Sequence, residues 1–218
     1  VSLDTEDEGW GNEFTDSRDT NTYSYRLIGT QVWMTENLAY LPSVHAPDLG
    51  SDSSPRYYVY NYERDNIINA KITDKYILYG VLYNWPAAMG GSTSSSANPS
   101  GVQGACPDGW HLPSDAEWTT LTDYLGGTSV AGGKMKATGT TGAGTGLWNG
   151  TNVGATNASG FSGLPGGYCT SIGTFYGIGS TGHWWSSTED YLSTYPFSWN
   201  LIYYVSKVGW GYNFKDEG

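Results

Sequence analysis

Residues Ser114 to Gly127 read SDAEWTTLTDYLGG, and this short stretch decides what kind of fold the rest of the chain can build. Ser114 stands three positions before Glu117, the spacing of a capping box, in which hydroxyl and carboxylate each satisfy a backbone N–H at a helix start. Trp118, Leu121 and Leu125 then share one face, and Gly126 sits where a left-handed residue ends a helix. The spacing predicts a helix over 115–125 with a single apolar stripe. A helix this short is marginal in isolation, so its stripe needs sheets or loops to pack against.

Working outward, the flanking sequence supplies strands. Tyr23 to Trp33 (YSYRLIGTQVW) reads as two short strands around Gly29, and Met34 to Tyr40 continues as a connecting segment. Leu41 to Pro55 turns to Pro, Ser, Gly and Asp and marks a loop, Tyr57 to Tyr62 is a second aromatic run, and Tyr79 to Met89 (YGVLYNWPAAM) predicts a short helix entered at Pro86. Gly90 to Gly104 is a loop. From Gly126 to Gly182 glycine and threonine dominate, with isolated rings at Trp148, Phe161, Tyr168 and Phe175, which predicts a long loop region pinned by aromatics. Near the end, Trp199, Leu201, Tyr203 and Val205 alternate with Asn200, Ile202 and Tyr204. Val208, Trp210, Tyr212 and Phe214 repeat the pattern, so an antiparallel hairpin is expected. The fold class that follows is α+β: short helices, small antiparallel sheets and a long irregular Gly/Thr-rich loop region.

Composition narrows the function. The chain has 218 residues, of which 14% are charged and 15% aromatic, with 10 Trp and 18 Tyr, so its buried area comes chiefly from rings. A formal charge of -11 and a pI of about 4.4 repel phosphate backbones and anionic lipid surfaces, which argues against nucleic-acid and membrane partners. No apolar run approaches the roughly 20 residues of a membrane span. Low Lys with abundant Gly, Ser and Thr is the composition expected of an extracellular or cell-surface protein, and an opening on Val1 fits removal of a leader.

Residues 1–13 form an acidic arm with Asp4, Glu6, Asp7 and Glu8, ahead of a single domain over 14–218. Val1, Leu3 and Thr5 alternate with Ser2 and Asp4, a strand pattern with one apolar face, and Trp10 follows. The arm is therefore a candidate assembly element. Cys106 and Cys169 could close a loop of about 60 residues, worth roughly 4 kcal/mol by chain entropy; two unpaired buried thiols are the alternative.

Chemistry is expected to be absent. His45, His111 and His183 are far apart, with no HxH, HExxH or CxxC spacing that would make a zinc site. His111, just ahead of the predicted helix, is expected to hydrogen-bond to a nearby loop. There is no Gly-x-Ser-x-Gly elbow and no phosphate-cradling loop with its lysine. The adjacent carboxylates Glu189–Asp190 and Asp216–Glu217 suit solvated loops better than a glycosidase pair held across a cleft. Trp184 and Trp185 could stack on sugar rings. The weightier reading packs one against Trp118 and lays the other over loop backbone.

Three blocks carry a resemblance: FTDSRDTNTYSYRLIGTQVWMTENLAY (Phe14 to Tyr40), CPDGWHLPSDAEW (Cys106 to Trp118) and GHWWSSTE (Gly182 to Glu189), with YGVLYNW (Tyr79 to Trp85) between the first two. In this order the chain resembles the Fibrobacter succinogenes major paralogous domain family over about Phe14 to Phe214. The resemblance implies a C-type-lectin-like α+β fold in bacterial surface and secreted proteins. It also implies a closing strand with a Val-Arg-Cys triplet soon after Lys215, whose cysteine would pair with Cys106. No such strand follows here, which leaves an incomplete chain or a sheet edge open to another occupant. Lectin-type sugar binding uses a calcium ion that the resemblance makes the one ion to consider, yet only Trp148-Asn149-Gly150 survives of its Trp-Asn-Asp ligand motif.

The expectation is a non-enzymatic surface module that assembles head to tail with copies of itself, the arm residues Val1, Leu3, Thr5 and Trp10 entering a neighbour as a strand, without a cofactor. The alternative is a carbohydrate-binding or adhesin module, with Trp148, Asn149, Trp184, Trp185 and Glu189 as candidate glycan contacts.

Overall fold

The computed structural model describes residues 12–48 and 50–218. The arm residues Val1, Leu3, Thr5 and Trp10 lie outside the described residues. Strands β1 (Asn12–Thr15), β2 (Thr22–Ile28) and β3 (Gln31–Met34) form an antiparallel sheet in that order. Gly29, at φ +66°, opens the two-residue turn between the paired Ile28 and Gln31, a conformation that hairpin turns need and that glycine adopts without strain. The predicted pair of strands around Gly29 is β2 and β3.

Next come β4 (Tyr57–Tyr58), the helices α1 (Ile67–Lys71) and α2 (Asp74–Tyr79), and β5 (Leu82–Tyr83), which pairs with β4. The aromatic run Tyr57 to Tyr62 is thus strand only in its first two residues. Helix α3 (Trp85–Met89) starts at an Asn84 cap whose side chain accepts the Ala87 N–H at 3.0 Å, with Pro86 in its first turn as expected. Helix α4 (Asp115–Tyr124) has the predicted capping box: the Ser114 hydroxyl accepts from Glu117 N–H at 3.2 Å, and the Glu117 carboxylate accepts from Ser114 N–H at 3.0 Å.

Helix α5 (Thr128–Met135) replaces the start of the expected loop region. Its sequence, TSVAGGKM, hides it because two central glycines lower helix propensity. They are there for approach. A Cβ on Gly132 would lie 2.6 Å from the Lys207 carbonyl oxygen, and one on Gly133 would run into the Gly154 carbonyl.

After the loops and the small pair β6 (Tyr168–Cys169) and β7 (Phe175–Tyr176), three long strands close the chain: β8 (Thr181–Glu189), β9 (Pro196–Ile202) and β10 (Val208–Tyr212), in sheet order β10-β9-β8. The predicted hairpin is β9 with β10, in a register that sets Trp210 opposite Trp199. The architecture is α+β with short helices and small antiparallel sheets.

The main core gathers the α4 stripe (Trp118, Leu121, Leu125) with Met135, Trp148 and Trp199. Trp118 is the hub. Its ring stacks on Trp199 at 5.8 Å and meets Trp33 at 4.8 Å and Phe161 at 5.9 Å.

Loop backbone enclosed by these rings still needs donors. The fully buried Lys136 supplies three, to the carbonyls of Val153 (2.8 Å), Ile202 (3.1 Å) and Val205 (2.9 Å). Burial pushes its ammonium down to about 8, so it keeps its proton at neutral pH. Asn152 donates to the carbonyls of Ala137 (2.9 Å) and Gly139 (3.0 Å).

Cys106 and Cys169 are both free, which corrects the disulfide considered from sequence. Cys106 lies in a turn closed by its own N–H to the Gln103 carbonyl, whereas Cys169 lies in β6 with its sulfur against the Thr170 carbonyl. The chain between them is held by packing and by the Lys136 network instead. Burial pushes each thiol up to about 12, so neither is a thiolate at neutral pH.

Two effects compete in Gly132→Ala. Helix propensity would add roughly 1 kcal/mol, while forcing a methyl against the Lys207 carbonyl costs roughly 1 to 3 kcal/mol plus backbone displacement. Net destabilisation is expected in urea unfolding, and a stabilised variant would show that α5 does not sit so close to residues 206–207.

Candidate functional site

Two sheets end against one space. β3 is an outer strand of the first sheet and β8 an outer strand of the sheet formed with β9 and β10, and residues of both line a cavity of about 880 Å³. The register says which backbone groups face outward. Thr35 N–H donates to the Ser24 carbonyl at 2.9 Å, so in β3 the bonded partners of β2 alternate and the N–H and C=O of Val32 and Met34 turn to the free edge. On β8 the Tyr203 N–H donates to the Ser180 carbonyl at 3.0 Å; the same alternation turns the groups of His183 and Trp185 outward. Apart from the single bridge from Gly167 to Gly182, no strand among the described residues pairs with that edge.

The walls are mostly rings and aliphatics, including Trp33, Tyr83, Trp110, Leu112, Leu164 and Trp184. Interiors are otherwise close-packed, with few voids larger than a water. As an empty void, 880 Å³ at about 24 cal/mol per Å³ would cost on the order of 20 kcal/mol, more than the whole stability of an ordinary domain. The volume is therefore a groove open to solvent and sized for a ligand or a segment of chain, not a packing defect.

Its polar groups are few. Trp185 on the cavity wall donates its indole N–H to the Tyr83 carbonyl at 2.7 Å, and behind the wall Trp85 and Trp148 donate to the carbonyls of Ser186 (3.1 Å) and Gly163 (3.1 Å). Trp118, which lines the cavity and is 2% exposed, has no acceptor for its own. His183 Nδ1 is likewise buried without a partner, while Nε2 sits 3.2 Å from the Thr181 hydroxyl; burial pushes this imidazole down to about 4, so it is neutral. One orphan donor and one ring nitrogen beside two unpaired strand edges suit a polypeptide main chain, which carries both a donor and an acceptor on every residue. Charge on the walls has one sign: Glu36, Asp108, Glu117 and Glu217 line the space with no Lys or Arg.

Glu117 joins the site to the helix start. Its Oε2 accepts from the N–H of Ser114 and of Ser100, each at 3.0 Å, and its Oε1 lies 2.6 Å from His111 Nε2. His111 thus bonds to the capping carboxylate of α4, which corrects the expected bond to a nearby loop. Burial alone would raise the Glu117 carboxyl, but the hydrogen bonds from His111, Ser114 and Ser100 hold it below its ordinary value. The bond to Glu117 raises the His111 imidazole against the pull of burial. Among the described residues no three His, Cys, Asp or Glu side chains converge as a metal site.

The candidate glycan contacts do not form an outer platform. Trp148 is 0% exposed in the core. Trp184 packs on Phe161 (5.7 Å) and Trp118 (6.4 Å), while Trp185 donates to the Tyr83 carbonyl, which belongs to strand β5 and not to the loop backbone expected; both rings also line the cavity. Asn149 holds the Thr141 hydroxyl (3.1 Å) and the Ser180 hydroxyl (3.2 Å), and Glu189 pairs with Lys215 at 2.5 Å. Sequence reasoning missed the cavity because an edge strand and a central strand share one alternating pattern, so nothing in GTQVWM marks β3 as an edge.

A family model described as the Fibrobacter succinogenes major domain matches residues 27–209, which include both strand edges of the cavity. No curated protein and no solved structure matches the chain.

His111→Gln should narrow the pH range of highest stability. The raised His111 contributes below its unfolded value and loses that contribution as pH rises through its folded one; the lowered Glu117 loses its share as pH falls through its own. The gap in urea midpoint between parent and variant is expected to be wide near about pH 5.5 and narrow near about pH 8.5. A gap that ignores pH would mean that the pair carries no linkage.

Proposed function

The chain belongs to the Fibrobacter succinogenes major domain family, and from that premise we propose that it is a non-catalytic extracellular structural module of bacterial surfaces that assembles by receiving an extended strand from a neighbouring copy. The single observation that carries the reading is the apolar cavity between the unpaired edges of β3 and β8. A strand laid there would satisfy backbone groups on both sides while its alternate side chains enter the apolar space, the physics of strand addition.

The donor in this reading is the N-terminal arm. Val1, Leu3 and Thr5 share one face of an extended segment and would point inward, with Ser2, Asp4 and Glu6 on the other face. Trp10 would anchor the arm where it leaves the neighbour. Each copy both gives and receives, and a head-to-tail contact of this kind propagates into a filament unless its rotation closes a ring. The surface location rests on composition, and the non-catalytic part on the sequence, whose histidine and glycine spacings match no catalytic motif.

Charge adds a signature of its own. Arm and cavity are both acidic, so their approach is opposed by like charges that salt screens. Deleting Val1–Gly9 is expected to abolish long particles in negative stain. A synthetic peptide of Val1–Gly11 should bind the deleted chain, and several-fold more tightly when salt is raised from roughly 50 to 500 mM. Filaments that persist without the arm would remove it as donor.

A further inference from the structure

Among the described residues the sheet of β8, β9 and β10 has a second free edge, at β10, opposite β8. Natural edge strands are usually guarded by charge, proline or a covering element. β10 reads VGWGY and has neither charge nor proline. Its first residue, Val208, is 4% exposed near α5, but the covering stops there: Trp210 is 56% exposed, Tyr212 54% and Phe214 55%.

These rings form one surface. Trp210 and Tyr212 lie on the same face as their cross-strand partners Trp199 and Phe197. Helix α4 covers Trp199 through Trp118, and the ladder then runs beyond the helix into solvent. Phe197 meets Tyr212 at 4.4 Å and Trp210 at 5.9 Å, and Tyr195 meets Phe214 at 5.6 Å. Trp210 (56% exposed), Tyr212 (54%), Phe214 (55%) and Tyr195 (40%) together expose about two whole rings, roughly 300–500 Å² at about 150–250 Å² for each. A standard protein interface needs about 800 Å² per partner. The rings supply about half of that, and a paired strand edge adds to it.

We propose that this edge pairs with the same edge of a second copy, β10 against β10 and antiparallel, about a two-fold axis at Gly211. An antiparallel edge is self-complementary under a two-fold, so identical strands satisfy one another's outward N–H and C=O groups. With the axis at Gly211, Trp210 of one copy stands opposite Tyr212 of the other, a favourable cross-strand aromatic pair. Gly211 suits the axis. A Cβ there would meet nothing within 4 Å, so the second backbone can come close. Charge points the same way along the strand itself: at a net -11 two copies repel over most of their surfaces, and β10 carries no charge. Nearby, Glu189 is cancelled by Lys215, and Asp190, at the β8–β9 turn beside Tyr195, is among the described residues the one carboxylate close to the rings that stays uncompensated. This contact does not use the cavity or the arm.

The test is cysteine cross-linking of the full chain. In an antiparallel pair, facing Cα atoms lie about 4.5–5.5 Å apart, within disulfide reach. Gly211→Cys should form a disulfide-linked dimer under mild oxidation at least tenfold faster than Ile172→Cys, a control at a site 81% exposed on the β6–β7 turn. Of the native thiols Cys169 is buried and Cys106 half-buried, and both are held protonated at neutral pH, so they contribute little. Adding Trp210→Lys to the Gly211→Cys chain should suppress the cross-link without altering circular dichroism. Equal rates at the two positions, no dimer from Gly211→Cys, or a dimer that survives Trp210→Lys would each overturn the proposal. If arm deletion leaves assembly unchanged while Gly211→Cys still dimerises, the cavity reading fails and this one stands.

Discussion

Buried carbonyls without a regular partner set the terms for this molecule. Between α5 and β8 the chain runs through about forty-five residues with only two short strands, and backbone enclosed there must find donors or face water. Lys136 answers for three carbonyls at once, Asn152 for two and Trp148 for one. The ammonium has no carboxylate among these partners. Its charge is held by carbonyl dipoles and by the face of the Trp148 ring, 5.6 Å away, which is tolerable because each bond to a charged donor is about twice as strong as a neutral one.

That demand explains where the tryptophans go. Trp85 and Trp185 bind the carbonyls of Ser186 and Tyr83, so the strand β8 and the segment before α3 hold one another through indole N–H groups. Rings in this role are walls and fasteners together. Trp118 breaks the pattern, with an unpaired N–H at the point where the core meets the cavity. An indole that is 2% exposed and lacks an acceptor loses roughly 1 to 3 kcal/mol relative to a satisfied one. Such a loss is understandable at a contact surface and hard to rationalise in a finished core.

Local rules made several elements legible. The capping box at Ser114 and Glu117, the proline entry at Pro86, the glycine turn at Gly29 and the alternation on either side of Ser206 all act within a few residues, and each corresponds to an element of the fold. Helix α5 was not legible, because Gly132 and Gly133 answer to the backbone of residues 206–207 and 154, which no local window contains. The helices α1 and α2 were missed for a related reason: Ile68, Ile72 and Ile77 are exposed, so their spacing does not mark a buried face. The site was the least legible part. A cavity is made by what does not pair, and the pattern of β3 is the same whether its outer edge is open or covered.

Main-chain pairing between strand edges carries no net charge and asks only for parallel geometry and apolar neighbours. For a chain at -11 this matters, since side-chain complementarity between identical copies would have to overcome repulsion spread over the surface. In the proposed assembly, strand edges at β3, β8 and β10 would meet that difficulty by placing contact where backbone and rings lie together. The two proposed surfaces differ in kind. The cavity has carboxylates on its walls, so an acidic strand would enter it against a screened repulsion and the equilibrium would follow ionic strength. The β10 strand is uncharged, and pairing there would depend on aromatic area and on the close approach that Gly211 permits.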